Sequence, residues 1–206
     1  MADDPVDGPA EHWDGRYSAI GDTAVAWFEA DPATSLELIS SVAGPEASVV
    51  DVGGGASRLV DRLLERGHRD ITVVDLSQQA LASSVERVGS APVDWLAVDV
   101  RDWQPLRTFD VWHDRAAYHF LTDPADQERY WDLAHQAVAD GGHVVIATFA
   151  EDGPEQCSGL PVARYSAASL AAAMGERFAV VASRRQEHVT PSGATQVFTW
   201  AVATRR

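Results

Sequence analysis

From Ser48 to Phe149 short apolar runs alternate with helix-patterned segments, and this alternation constrains the chain more than any other feature. Strands are read at Ser48–Val52, Ile71–Asp75, Val93–Val98, Phe109–His113 and His143–Phe149. Helices are read between them at Ser57–Arg66, Ser77–Val88 and Pro124–Ala139; Gly67 closes the first, Ser77 caps the second and Gly141-Gly142 ends the third. Strands spaced by helices pair in parallel through right-handed crossovers, because a tight turn cannot join parallel neighbours. The tail differs. After a helix at Ala167–Met174, strands at Phe178–Val189 and Ala194–Thr204 flank Thr190-Pro191-Ser192-Gly193, which predicts an antiparallel hairpin. Upstream, His12–Val42 reads as two helical pieces broken at Asp31-Pro32, and the residues up to Glu11 are expected to fray. With no repeat or low-complexity linker, 206 residues suit a single domain, with 12–43 as an N-terminal helical cap.

Composition narrows the chemistry. The formal charge of −15 repels phosphate backbones and anionic lipid, so nucleic acid and membrane are not expected as partners. All 16 basic residues are arginine, which removes lysine-based mechanisms such as Schiff bases and Tyr-x-x-x-Lys hydride chemistry. Cys157 is the one cysteine, so no internal disulfide or cysteine-cluster metal site is expected. The polar start Met1-Ala2-Asp3-Asp4 and the lack of a long apolar run predict a soluble, cytoplasmic protein.

The segment Asp51-Val52-Gly53-Gly54-Gly55-Ala56-Ser57 leaves a strand and opens a helix. Small residues there let a ligand approach the backbone, although a mere tight turn reads the same way. Twenty residues after Gly55, Asp75 ends the next strand, with Leu76 beside it; an acid at that place accepts ribose hydroxyls. Asp99 ends the third strand, where a carboxylate accepts an adenine amine and the N–H of Val100 reaches a ring nitrogen. The spacing departs from Gly-x-Gly-x-x-Gly because Arg58 stands at the last position, which weakens a dinucleotide oxidoreductase reading.

Asp51–Ser57, Asp75, Asp99, Phe109–His119 and the terminal hairpin together resemble the class I S-adenosylmethionine-dependent methyltransferases. The resemblance runs from about Ala47 onward and implies a Rossmann-like, mostly parallel seven-stranded sheet with helices on both faces. It implies S-adenosylmethionine as cofactor and S-adenosylhomocysteine as product. Asp51, Gly53, Gly55 and Ser57 would then lie along the methionine moiety, Asp75 on ribose and Asp99 on adenine. Ser57 replaces the family's third glycine; with Trp13-Asp14-x-Arg16-Tyr17 it is similar to the lysine methyltransferases of citrate synthase and elongation factors. Trp13, Arg16 and Tyr17 either close over the cofactor, Arg16 neutralising the methionine carboxylate, or belong to plain core.

In the family, the stretch Asp110–His119 borders the sulfonium and the acceptor. Asp110 reads as structural. Asp114, Arg115 and His119 are the catalytic candidates: Asp114 or His119 as proton acceptor, Arg115 as a grip on a substrate carboxylate, unless Asp114 and Arg115 merely pair with each other. The loop Asp152–Pro161 reads as an acceptor lid. Asp114-Arg115-Ala116-Ala117 lacks the Asp/Asn-Pro-Pro-aromatic tetrad of amino-methylating DNA enzymes. The leading expectation is methylation of N, O or S on a small metabolite. The alternatives are a protein lysine methyltransferase and a non-catalytic cofactor-binding regulator; oligomeric state is left open.

Overall fold

A computed structural model describes residues 8–206. Helices α1 (Pro9–Ile20) and α2 (Ala33–Val42) precede the alternating part. That part runs β1 (Val49–Val52), α3 (Leu59–Glu65), β2 (Ile71–Asp75), α4 (Gln78–Val88), β3 (Val93–Ala97), β4 (Phe109–Arg115), α5 (Pro124–Ala137) and β5 (Val138–Phe149). A short ribbon of β6 (Gln156–Cys157) and β7 (Leu160–Pro161) follows, then α6 (Ala167–Met174) and the hairpin β8 (Phe178–Val189) and β9 (Thr195–Arg205). Seven strands form one sheet in the order β3-β2-β1-β4-β5-β9-β8, parallel from β3 to β5 and antiparallel through β9 and β8.

The strand pattern explains the layering. Val49, Val111 and Val145 face α2 and α3, whereas Val50, Trp112, Val144 and Ile146 face α5 and α6. Alternate residues of a strand point to opposite faces, so a strand apolar at every position must be covered on both. β1 is buried along its whole length for this reason. The order reverses beside β1, with β2 on one side and β4 on the other, which opens a crevice at the carboxyl ends of these strands.

Several boundaries differ from expectation, three of them for a clear local reason. α1 starts at Pro9, not after Glu11, because proline suits the first turn and Glu11 Oε2 accepts the Gly8 N–H at 2.8 Å. The expected fraying of residues 1–7 lies outside the described residues. α5 stops at Ala137, two residues early: fully buried Val138 pairs with Phe109 in the sheet, and Gly141-Gly142 falls in an irregular stretch of β5 instead of ending a helix. β4 continues past His113 to Arg115 through pairing with β5. Among the described residues no helix is long and apolar enough to cross a membrane.

α1 is fastened across the start of α4. Asp14 Oδ1 accepts the Ser77 hydroxyl at 2.6 Å and the Gln79 N–H at 3.1 Å, while Ser77 Oγ accepts the Ala80 N–H. Asp14→Ala removes this capping and is expected to cost about 1–2 kcal/mol of stability, read by denaturant unfolding.

Candidate active site

The crevice holds a cavity of about 370 Å³. Its walls come from the ends of four strands (Gly53, Asp75, Asp99 and Arg115), from α1 (Trp13, Tyr17) and from the β6–β7 ribbon (Cys157, Leu160). Leu76 and Val100 also line it. Thus Trp13, Gly53, Asp75, Leu76, Asp99, Val100 and Arg115, all marked in the sequence, meet at one site.

Gly53 shows why the turn needs glycine. Its φ is +70°, and a Cβ there would lie 2.6 Å from Ala117 Cβ. At Gly55 (φ +40°) a Cβ would meet Asp75 Oδ2 at 2.9 Å and Tyr17 Oη at 3.0 Å. The bend therefore needs glycine because its backbone packs directly against Ala117, Asp75 and Tyr17.

Asp75 Oδ1 accepts the Ser77 N–H at 2.7 Å. Burial, and secondarily the nearby Asp51 carboxylate, raise the Asp75 pKa to about 7 against the pull of backbone N–H groups. Asp99 is not the free acceptor the sequence suggested. It accepts the Arg101 backbone N–H at 2.9 Å and takes the guanidinium through Nε at 3.0 Å and Nη2 at 2.5 Å. Burial raises its pKa, but Arg101 outweighs this and holds it below the usual carboxylate range. Arg101 Nη1 also reaches Asp126 at 3.1 Å. Arg101 and Asp126 both line the cavity and were missed in the sequence; Asp126 lies on α5, and no periodic signal links it to the turn after β3.

Other candidates lie outside the main cavity. Asp51 Oδ1 sits 2.7 Å from His113 Nδ1, whose Nε2 is 2.9 Å from Ser35 Oγ. Asp51 and Ser57 line a smaller hollow of about 40 Å³ that shares Tyr17, Trp27, Gly53 and Arg115 with the main one. Gly55 and Arg16 line neither. Arg16 is close enough to the Cys157 thiol to act on its ionisation.

Asp114 and His119 do not meet the expectation of a proton acceptor at the cavity. Asp114 is wholly buried: its carboxylate accepts the Tyr130 hydroxyl at 2.6 Å and the N–H groups of Ala117 and Tyr118 at 2.9 and 3.0 Å. It clamps the bend after β4, where Ala116 adopts φ +71°. His119 is also wholly buried, between Phe120 and Phe149, and burial lowers its pKa to about 3. Neither lines the cavity, because the chain turns their side chains into the packed layer. Arg115 does not pair with Asp114: Nη1 donates to the Trp27 carbonyl at 2.8 Å and Nη2 lies 3.1 Å from Glu29. It ties the segment before α2 over the site. Asp110 is structural as read, its Oδ2 accepting the N–H and hydroxyl of Ser48.

The aromatic wall was only half visible in the sequence. Trp13 meets Phe120 at 4.9 Å and Trp27 at 5.7 Å between ring centres, and Trp27 meets Tyr17 at 6.0 Å, all edge-to-face. Trp27 sits in a loop and Phe120 in a single 3-10 turn, Tyr118–Phe120, so helical or strand spacing does not single them out.

The family model described as a methyltransferase domain matches residues 49–142, the segment that builds the cavity floor. The malonyl-[acyl-carrier protein] O-methyltransferase of Anoxybacillus flavithermus is 24% identical over 137 residues, covering 66% of this chain and 52% of that protein. The mouse (Mus musculus) eEF1A lysine and N-terminal methyltransferase is 30% identical over 123 residues, covering 56% and 17%. The ribosomal RNA small subunit methyltransferase A of Salinibacter ruber is 36% identical over 80 residues, covering 38% and 27%. The chain thus spans about half the length of the first relative and far less of the other two. Because one relative is named for ribosomal RNA, the exclusion of nucleic acid drawn from net charge has no support here.

The N-methyltransferase NodS of Bradyrhizobium japonicum, in complex with S-adenosylhomocysteine, shares the fold with a TM-score of 0.66 at 18% identity, covering 100% of this chain and 93% of that one. The 1,6-didemethyltoxoflavin-N1-methyltransferase of Burkholderia thailandensis gives 0.69 at 23%, covering 99% and 93%. The methyltransferase-domain model thus sits on the strands that shape the cavity, and the chain shares its seven-stranded fold with these two methyltransferases.

Proposed function

We propose that the chain transfers the methyl group of S-adenosylmethionine to a nucleophilic atom of a small-molecule acceptor. The observation that carries this reading is the convergence of Asp75 and Asp99, from the ends of different strands, on one cavity beside the Gly53 bend. The cofactor supplies a methyl carbon activated by its positive sulfur.

The residues present fit it. Asp75 accepts the ribose hydroxyls, and Leu76 packs beside them. Asp99, held by Arg101, and the Val100 N–H face the adenine. Gly53, Gly55 and Ser57 shape the bend along the methionine part, with Asp51 fixed behind them through His113. Trp13 covers the site, and Arg16 stands near its acceptor side. Arg115 acts by holding Trp27 and Glu29 in place, and residues 12–43 serve as the cap of a single domain spanning 1–206. The roof made by α1 and the β6–β7 ribbon encloses a volume suited to small molecules.

Methylation of a protein lysine is the second reading, favoured by the likeness to the mouse eEF1A enzyme. A cytoplasmic setting is proposed as well. Labelled S-adenosylmethionine incubated with the protein and cell lysate separates the readings: label is expected in the small-molecule fraction. Label in protein or RNA instead would overturn the small-acceptor assignment, and no S-adenosylhomocysteine binding by calorimetry would overturn methyl transfer itself.

A further inference from the structure

We infer that the acceptor enters the site with a flat aromatic ring that carries no carboxylate or phosphate, because half-buried rings from three separate segments frame the cavity where its two hollows join. The inference rests on the methyl-transfer reading above.

The two hollows fix where the acceptor enters. On that reading Asp75 and Asp99 take the nucleoside in the main cavity, and Asp51 and Ser57 mark the smaller hollow for the methionine end. Tyr17, Trp27, Gly53 and Arg115 line both hollows, so they mark the junction where the cofactor's two ends meet. The rest of the wall around that junction comes from Trp13 on α1, Phe120 after β4, and Cys157 and Leu160 on the β6–β7 ribbon. Trp13, Trp27 and Phe120 are each half-buried. The Trp13 ring stands at 76° to Phe120 and at 84° to Trp27. Rings set at such angles offer an edge and a face together, which is the pairing a further flat ring prefers. A saturated acceptor of the same size fills the space without that pairing.

The cations of the lining already have partners. Arg101 holds Asp99 and Asp126. Arg115 lies 3.1 Å from Glu29, donates to the Trp27 carbonyl at 2.8 Å and sets its guanidinium 5.0 Å from the centre of the Phe198 ring. A carboxylate on the acceptor would have to displace Glu29 to reach it. Asp123 caps α5 and is exposed, so water solvates its charge. The wall also contains its own gauge of what an anion meets there. Burial pushes the Cys157 thiol up to about 11 even though Arg16 and Arg115 pull it down. Ring pairing therefore favours a flat guest at this wall, and the cost of desolvating an unpaired anion excludes a charged acid.

Calorimetry on the protein saturated with S-adenosylhomocysteine tests this, with 2-naphthol as the flat neutral probe, decahydro-2-naphthol as its saturated counterpart and 2-naphthoate as the flat anion. 2-Naphthol is expected to bind about five- to tenfold more tightly than either. Trp13→Leu is expected to lower the naphthol affinity several-fold while S-adenosylhomocysteine affinity stays within about twofold; Phe120→Leu serves if that variant fails to fold. Equal or tighter binding of the saturated alcohol or of the anion, or no binding of 2-naphthol, would overturn the inference. A variant with unchanged naphthol affinity, or one that loses S-adenosylhomocysteine affinity, would overturn it too, because the rings would then serve the fold or the cofactor and not the acceptor. Absence of S-adenosylhomocysteine binding by the unaltered protein would instead overturn the methyl-transfer reading beneath it.

Discussion

Asp75→Ala is expected to weaken S-adenosylhomocysteine binding by about 100-fold, because two charge-assisted hydrogen bonds to a ribose are together worth about 3 kcal/mol. Calorimetry on the folded variant reads this directly. The carboxyl also makes the binding pH-dependent. Its pKa stands at about 7 because burial and Asp51 disfavour the charge. The ionised form is the better acceptor for two hydroxyls, so affinity is expected to fall as pH drops below 7. The effect on stability has the opposite sense. Between its unfolded value near 4 and its folded value of about 7, the folded state holds a proton that the unfolded state has lost. Stability therefore declines as pH rises through that window, by about 2 kcal/mol after allowing for water in the cavity. Asp75→Asn is expected to flatten this decline while still losing affinity, so the variant is a weaker binder and a more stable protein at pH 8.

Asp114→Ala is expected to be a folding defect. Removal of the carboxylate leaves the Tyr130 hydroxyl and the Ala117 and Tyr118 N–H groups without their acceptor in a buried site. Unpaired buried donors cost about 1–3 kcal/mol each, and partial relaxation leaves a net loss of about 3–4 kcal/mol. Denaturant unfolding measures the loss. The bend after β4 would slacken with it, since Ala116 keeps its φ of +71° only while the clamp holds. Asp114→Asn, which keeps an acceptor oxygen, is expected to recover much of the stability. A general base at that position would behave differently: the asparagine variant would fold normally and lose turnover. Burial also raises the Asp114 pKa, to about 6 despite the Tyr130 hydroxyl, so Asp114 adds to the decline in stability between pH 4 and 6.

The contrast between these two aspartates explains what could be seen in advance. The place of Asp75 at the cavity was legible because strand β2 ends there, and the carboxyl ends of parallel strands open into a crevice where the strand order reverses. The sheet was legible for a related reason: apolar runs of five or so residues between helices admit one pairing pattern, and the Pro-Ser-Gly turn fixes the hairpin that follows. Asp114 was misread because polarity at a strand end looks the same whether the side chain faces a ligand or turns inward. The turn is decided by Tyr130, sixteen residues away on α5, which nothing in the local pattern announces. Asp99 was placed at the cavity, but its partner Arg101, two residues further on in the turn after β3, went unnoticed. Trp27, between α1 and α2, lies on no regular element; Arg115 holds its carbonyl, and its ring packs against Trp13 and Tyr17.

Crystals of the protein grown with S-adenosylhomocysteine test the central claim most directly. The account predicts the adenosyl group in the cavity over the Gly53 bend, with the ribose hydroxyls within hydrogen-bond distance of Asp75 and the adenine beside Asp99 and Val100. A nucleoside bound elsewhere, or one in this cavity whose ribose leaves Asp75 untouched, would contradict it.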